Sequence, residues 1–182
     1  MKKLLVASVV SLACLGSSKA GTWTTIDFPG TGSYSEALGI SYTNAFGISG
    51  DNIVGYYKYG ATHGFVYART TYTTLDYPGS AVTAAYGISG SNVVGVYGDA
   101  FGSSSAFFYD GTTYGSLNVP GEPHGISDGN IIGFYRNSST GGISSFFYNG
   151  GTWVALDAPG TTSTVAYGVS GNNVVGYCRG DI

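Results

Sequence analysis

The chain has 182 residues, of which 43% are hydrophobic and 15% aromatic, so it can build a packed core despite 31 glycines. Only 9% of residues are charged and the formal charge is −3. That acidic balance argues against a phosphate backbone as partner.

Met1-Lys2-Lys3 is followed by an apolar run from Leu4 to Leu15 and by small residues up to Gly21. A basic start, a short apolar core and small residues, with Ser18 and Ala20 preceding the cut, are the features of a secretory signal peptide. The run is too short to span a bilayer, which needs roughly 20 apolar residues. Cys14 sits behind Ser11-Leu12-Ala13, a poor match to a lipidation signal. We expect residues 1–20 to be removed, leaving a secreted domain over 21–182 with no membrane contact. Loss of Lys2, Lys3 and Lys19 leaves four basic residues against ten acidic ones, a formal charge of −6. Cys178 is then the one cysteine, so no internal disulfide forms, and a buried, inert thiol is expected.

A phrase recurs along the rest of the chain: Phe46-Gly47-Ile48-Ser49, Tyr86-Gly87-Ile88-Ser89, His124-Gly125-Ile126-Ser127 and Tyr167-Gly168-Val169-Ser170. Its glycines stand 40, 38 and 43 residues apart, a spacing that marks a repeat architecture. Each copy reads as four short strands. Strand A carries the phrase, and a turn of Gly, Asp, Ser and Asn follows it. Strand B is β-branched and aromatic, as in Asn52 to Tyr57 and Asn92 to Tyr97. Strand C ends in Phe65-Val66-Tyr67, Phe107-Phe108-Tyr109 and Phe146-Phe147-Tyr148. Asp110-Gly111 and Asn149-Gly150 then predict tight hairpins. Strand D closes with Leu75-Asp76-Tyr77-Pro78-Gly79 and its counterparts ending at Gly121 and Gly160, where Pro-Gly predicts a type II turn.

The repeat units are expected at about 38–79, 85–121, 124–160 and 166–182, the last completed by 21–30. Thr22 to Gly30 is a D-type strand with no A, B or C before it, whereas the last copy has A and B alone. The fold class expected is therefore all-β: a small propeller-like ring of about four blades, closed by the N-terminal strand. Two Gly-Ile-Ser phrases between Gly39 and Ser49 compete for one strand position. Glycines such as Gly95, recurring inside strands, point to crowding near the ring axis.

The phrases Gly-Ile-Ser…Val-Val-Gly-x-Tyr, His63-Gly64-Phe65-Val66-Tyr67, Ser105-Ala106-Phe107-Phe108-Tyr109 and Leu75-Asp76-Tyr77-Pro78-Gly79 together resemble the bacterial HAF-type extracellular repeats. The resemblance covers nearly all of the chain after residue 20. It implies a secreted bacterial protein with a β-propeller-like fold. Two features depart from the family pattern: the turn after Gly-Ile-Ser is shorter, and the histidine survives in one copy, at His63.

Residues that could carry chemistry are few. Gly125-Ile126-Ser127-Asp128-Gly129 matches a serine-hydrolase motif, but it falls on a hairpin where that motif needs a strand, a strained turn and a helix. His63 and His124 have no spacing that predicts a metal site or a triad. Asp27, Asp76, Asn118 and Asp157 recur at one position. One carboxylate per blade falls short of a calcium shell, so each is expected to accept backbone N–H groups in its turn. Arg179-Gly180-Asp181 and the sequon Asn137-Ser138-Ser139 are short enough to arise by chance. Glu36 and Glu122 are the only glutamates, too few and too scattered for a predicted pair of glycosidase carboxylates.

No catalytic residue, metal or cofactor is called for. Exposed tyrosine beside Asn and Ser suits sugar stacking or an adaptable protein interface, and Tyr57, Tyr97, Tyr135 and Tyr177, near the ends of strand B, are the candidate binding face. The function expected is a secreted, non-enzymatic repeat protein that presents a surface as an extracellular matrix, cell-surface or glycan-binding module. Its partners would be a glycan, another extracellular protein, or a second copy joined at the incomplete last blade. The rival expectation is a polysaccharide hydrolase or lyase.

Overall fold

A computed structural model describes residues 40–180. Their fold is all-β, a succession of four antiparallel units joined by short linkers. The first unit holds β1 (Ile40–Ser49), β2 (Asn52–Tyr59), β3 (Ala61–Ala68) and β4 (Thr71–Leu75). The second holds β5 (Val82–Ser89), β6 (Asn92–Gly98), β7 (Ser104–Tyr109) and β8 (Tyr114–Leu117). The third holds β9 (Glu122–Ser127), β10 (Asn130–Arg136), β11 (Ile143–Tyr148) and β12 (Trp153–Leu156). The fourth is the pair β13 (Ser163–Ser170) and β14 (Asn173–Arg179). Each four-stranded unit is an up-and-down meander, and a parallel bridge from Thr62 to Val82 joins the first two into one sheet.

Among the described residues no sheet closes on itself. The strand expected to close a ring, within 21–30, lies outside the described residues, as do the expected signal peptide over residues 1–20, Asp27, Glu36 and Asp181. Among the described residues no helix is long and apolar enough to cross a membrane.

The core lies between units, not within them. Val54 and Leu75 of the first unit pack with Ala85, Ile88, Val93 and Phe107 of the second. Val94 of the second packs with Ile126, Ile131 and Phe146 of the third. Strand B is apolar at consecutive positions for this reason: Val93 meets one neighbouring unit and Val94 the next, so both sides of the strand are buried. Among the described residues no further unit packs on the fourth, and Val175 there is 67% exposed, against 0% for Val54, Val94 and Ile132 at the same position.

Each strand A carries a bulge. Phe46, Tyr86, His124 and Tyr167 are the extra residues, each facing a shift in register across the pair. The bulge accounts for the glycine opposite. A Cβ on Gly95 would run into the carbonyl of Ala84 on its own partner strand and reach within 2.9 Å of Phe107 Cε1. The crowding at Gly95 is thus internal to the unit, which corrects the axial placement. The close approach between units occurs instead at Gly87, whose Cβ would stand 3.2 Å from the Gly125 Cα.

Turn chemistry differs from expectation in three places. The Asp110 and Asn149 hairpins are four-residue loops, since Tyr109 pairs with Tyr114 and Tyr148 with Trp153. Asp110 shapes its loop by accepting the N–H groups of Thr112 and Thr113 at 2.8 and 2.7 Å, an Asx-type turn that outcompetes the two-residue form. Pro-Gly forms the expected turn at Gly79 and Gly160, where φ is +77° and +75°, but Gly121 is not in that region. The two Gly-Ile-Ser phrases of the first unit share one strand: Ile40 opens β1 opposite Tyr59, and Ser49 closes it opposite Asn52.

Candidate functional site

The linkers between units differ in length, and this positions the site. Leu75 to Gly87 and Leu156 to Gly168 are both twelve residues, whereas Leu117 to Gly125 is eight. With the longer linkers, strand A of the next unit lies along strand C of the one before. Val82 bridges Thr62 at the first junction, and Ser163 Oγ accepts the Ile143 N–H at 3.2 Å at the third. The longer linkers also share one set of bonds: Thr83 and Thr164 hydroxyls accept the N–H of Tyr77 and Ala158 at 2.9 and 3.0 Å. The middle linker is too short for either. Strand β9 starts late, β7 pairs among the described residues with β6 and β8 alone, and the first residues of β7 stay uncovered by them. Ser105 is exposed, while its counterparts His63 and Ser144 are half-buried and buried.

The result is a cleft of about 600 Å³ between the second and third units. Its floor includes Val96, Leu117 and Phe134, and its walls carry Ser105, Ser116, Asn118, Glu122, Tyr135 and Arg136. Tyr135 meets Trp153 edge-on, with ring centroids 5.9 Å apart, and packs on the core cluster of the third unit. Gly121 lies flat against it: a Cβ there would be 2.6 Å from Tyr135 Cβ. Glu122 Oε2 lies 3.5 Å from His124 Nε2, and the imidazole beside it holds the Glu122 carboxyl below its ordinary value against the opposing effect of burial. His124 is in turn clamped between the rings of Tyr86 and Phe134, at 4.7 and 4.3 Å and within 15° of parallel to each. It is a packing residue at a bulge.

The four candidate tyrosines do not form one face. Tyr135 lines the cleft. Tyr97 stands at its edge: its hydroxyl donates to Ser116 Oγ at 3.3 Å, and its ring stacks on Tyr77 at 3.6 Å. Tyr57 is buried, with its hydroxyl 3.3 Å from Thr74 Oγ1 and its ring stacked on His63 at 5.1 Å, so it presents nothing to a ligand. Tyr177 is 52% exposed but belongs to the other face of its strand. It pairs with Val165 as Phe134 pairs with Glu122, so the residue equivalent to Tyr57, Tyr97 and Tyr135 is Cys178. Cys178 is itself exposed, contrary to the buried thiol expected.

The recurring acidic position also differs from expectation. Asp76 pairs with His63 Nδ1 at 2.9 Å, and Asp157 Oδ2 accepts the Ser144 hydroxyl at 3.1 Å. Both reach across to strand C side chains, not to turn N–H groups. At the middle junction Asn118 and Ser105 hold the same two positions, and both open on the cleft. Among the described residues no three His, Cys, Asp or Glu side chains converge in a way that would hold a metal ion. Ser127 closes β9 at a hairpin where Asp128 and Gly129 both have positive φ, and its Oγ accepts the Gly171 N–H at 3.1 Å. That is the bonding of a turn residue. Asn137 donates to Ser144 Oγ at 2.9 Å and accepts the Ser139 N–H at 3.0 Å, so its amide is engaged.

The signal for the cleft was present in the repeat spacing, since 38 is the shortest interval. What it lacked was the knowledge that strand A lies along the previous strand C. No family model, curated protein or solved structure matches this chain.

Proposed function

We propose that this chain is a secreted, non-enzymatic β-repeat protein, of the HAF type its phrases resemble, that acts by presenting a binding surface as an extracellular matrix, cell-surface or glycan-binding module. The leader-like residues 1–20 support secretion. The observation that carries the reading is the composition of the middle junction: a cleft walled by hydroxyls, an amide and a tyrosine, with Glu122 as the carboxylate lining it. Glycoside hydrolysis by acid and base, or acid and nucleophile, uses two carboxyl groups facing one bond. Here the repeat's own carboxylate position is Asn118, an amide that binds but does not transfer protons at neutral pH.

A ring of four units is part of the same proposal. The open ends support it by chemical match: Phe46 and Ile48 are 51% and 57% exposed on the first unit, and Tyr167 and Val175 are 60% and 67% exposed on the last. Among their counterparts at the inner junctions Ile88, Ile126, Val54, Val94 and Ile132 are buried and Tyr86 and His124 half-buried, and the D-type sequence of residues 22–30 is the segment we assign to join them. Small-angle scattering of the processed protein checks this, since a ring and an open arc differ in radius of gyration.

The function is tested by incubating the purified protein with bacterial extracellular polysaccharide and cell walls. Retention on the material with no release of reducing or unsaturated sugar ends is the expected result. Accumulation of either kind of end would replace this reading with the hydrolase or lyase.

A further inference from the structure

We propose that the cleft between the second and third units is a binding site for a neutral sugar chain, with the open part of the Tyr135 ring as stacking platform and Ser105, Ser116 and Asn118 as the groups that read its hydroxyls. The inference rests on the surface-presenting reading above and names its ligand.

The junction is built differently from its neighbours. A linker four residues shorter withdraws the strand that covers the equivalent ground at the other two junctions. What is exposed is then not the apolar face of a strand but a set of hydroxyl and amide groups. Ser105, Ser116 and Asn118 are all exposed there, and each can both donate and accept. Sugar hydroxyls need that dual capacity, because each is itself donor and acceptor. The two charges on the walls, Glu122 and Arg136, are opposite in sign, so the cleft has no net charge with which to select an anion or a cation.

Tyr135 meets the second requirement of sugar recognition, an apolar ring against which C–H groups can lie. It is held in place before any ligand arrives, by Trp153 edge-on at 5.9 Å and by packing on the core cluster of the third unit. A ring already fixed loses little freedom on binding. An extended peptide is the less suited occupant. Strand addition needs a run of free backbone groups, and β7 already pairs with β8 from Ala106 to Tyr109, leaving only Ser104 and Ser105 of β7 uncovered on that side.

The test uses the processed protein carrying Trp23→Phe, so that Trp153, in contact with Tyr135, reports occupancy by fluorescence. Neutral hexasaccharides of β-glucan, galactan and mannan are titrated beside a uronate hexasaccharide and an unstructured Ser/Thr-rich peptide. At least one neutral hexasaccharide is expected to saturate the signal. Tyr135→Ala is expected to weaken it tenfold or more, and Ser105→Phe, which fills the cleft from an exposed position without touching the core and adds no second indole, to abolish it. Tyr177→Ala, on the other side of the molecule's repeat pattern, should leave it unchanged. Binding of a neutral sugar that survives both cleft variants overturns the site while leaving the surface-presenting reading intact. Preference for the uronate or the peptide overturns the ligand class. If no hexasaccharide binds at millimolar concentration, the inference falls. Retention on extracellular material, measured separately, then decides whether the broader reading falls with it.

Discussion

The hydroxyl of Ser49 accepts the backbone N–H of Gly90 at 3.0 Å, linking two units at positions 41 residues apart. Ser127 and Gly171 repeat the bond at 3.1 Å between the third and fourth units. Gly90 and Gly171 each open their two-residue turn with φ near +60°, the pattern of a type II′ hairpin. In the third unit Asp128 holds that place and Gly129 follows, both with positive φ, as in type I′. The turn that would meet Ser89 therefore has a different shape, and the middle junction differs at this end as well as at the cleft.

Removing either hydroxyl should loosen its junction. Ser49→Ala and Ser127→Ala are each expected to cost about 1 kcal/mol, the net worth of a partly exposed hydrogen bond. Ser89→Ala should cost less. Urea unfolding with a common slope checks the order, and equal losses at all three serines would show that the bonds do not join the units.

Two glycines separate crowding from propensity. Gly87→Ala puts a methyl within 3.2 Å of Gly125 Cα and the His124 carbonyl, both backbone atoms that cannot move aside cheaply. A loss of about 1–3 kcal/mol is expected from such overpacking. At Gly115 the nearest atom to an added Cβ is 3.9 Å away, so Gly115→Ala should be neutral or slightly stabilising. Thermal unfolding of the two variants measures the contrast.

Arg69 holds φ of +57° at the hairpin between β3 and β4, a conformation that costs an L side chain about 1 kcal/mol or more. Its ion pair with Asp51, at 3.7 Å, is too exposed to repay that. Arg69→Gly should raise stability by a few tenths to about 1 kcal/mol, less any gain in unfolded-chain freedom. A lower melting temperature would mean that the pair matters after all.

At low pH the Glu122 carboxyl is the group to follow. Its value is lowered in the fold by the His124 imidazole 3.5 Å away, so it contributes stability that is complete above the ordinary carboxylate value and is lost as pH falls through the lowered one. The side chain is 46% exposed, which keeps the effect below about 1 kcal/mol. Glu122→Gln should flatten the stability profile below about pH 4.5. An unchanged acid limb would remove the His124 pairing from the account.

At high pH the sign reverses. Burial, then the Glu122 charge, pushes Tyr86 up to about 12, and burial does the same to Tyr114. A raised value favours the neutral phenol in the fold, so the stabilisation is whole below pH 10 and drains as pH climbs towards 12. Tyrosinate absorbance should therefore show a late phase that coincides with loss of β-sheet circular dichroism. Tyr86→Phe should reduce that phase and delay the unfolding.

The sequence by itself determined the repeat, the all-β class and the four strands of each of the first three units. Those follow from local pattern: β-branched pairs beside glycine, and turn residues at fixed offsets. It also carried two facts that only tertiary structure made meaningful. The last copy reads Gly-Tyr-Cys where others read Gly-Tyr-Tyr, Gly-Val-Tyr and Gly-Phe-Tyr, so a shift of one places Tyr177 opposite Val165 and turns it to the other side of the sheet. Likewise a linker of eight residues instead of twelve is visible as a number, but its effect depends on where the next strand lands. Strand A covers the preceding strand C only when the linker reaches far enough, and where it does not, Ser105 and Asn118 face solvent while their counterparts pair. Bulge, register and linker reach are relations between strands distant in sequence, which is why the location of the cleft was decided by packing.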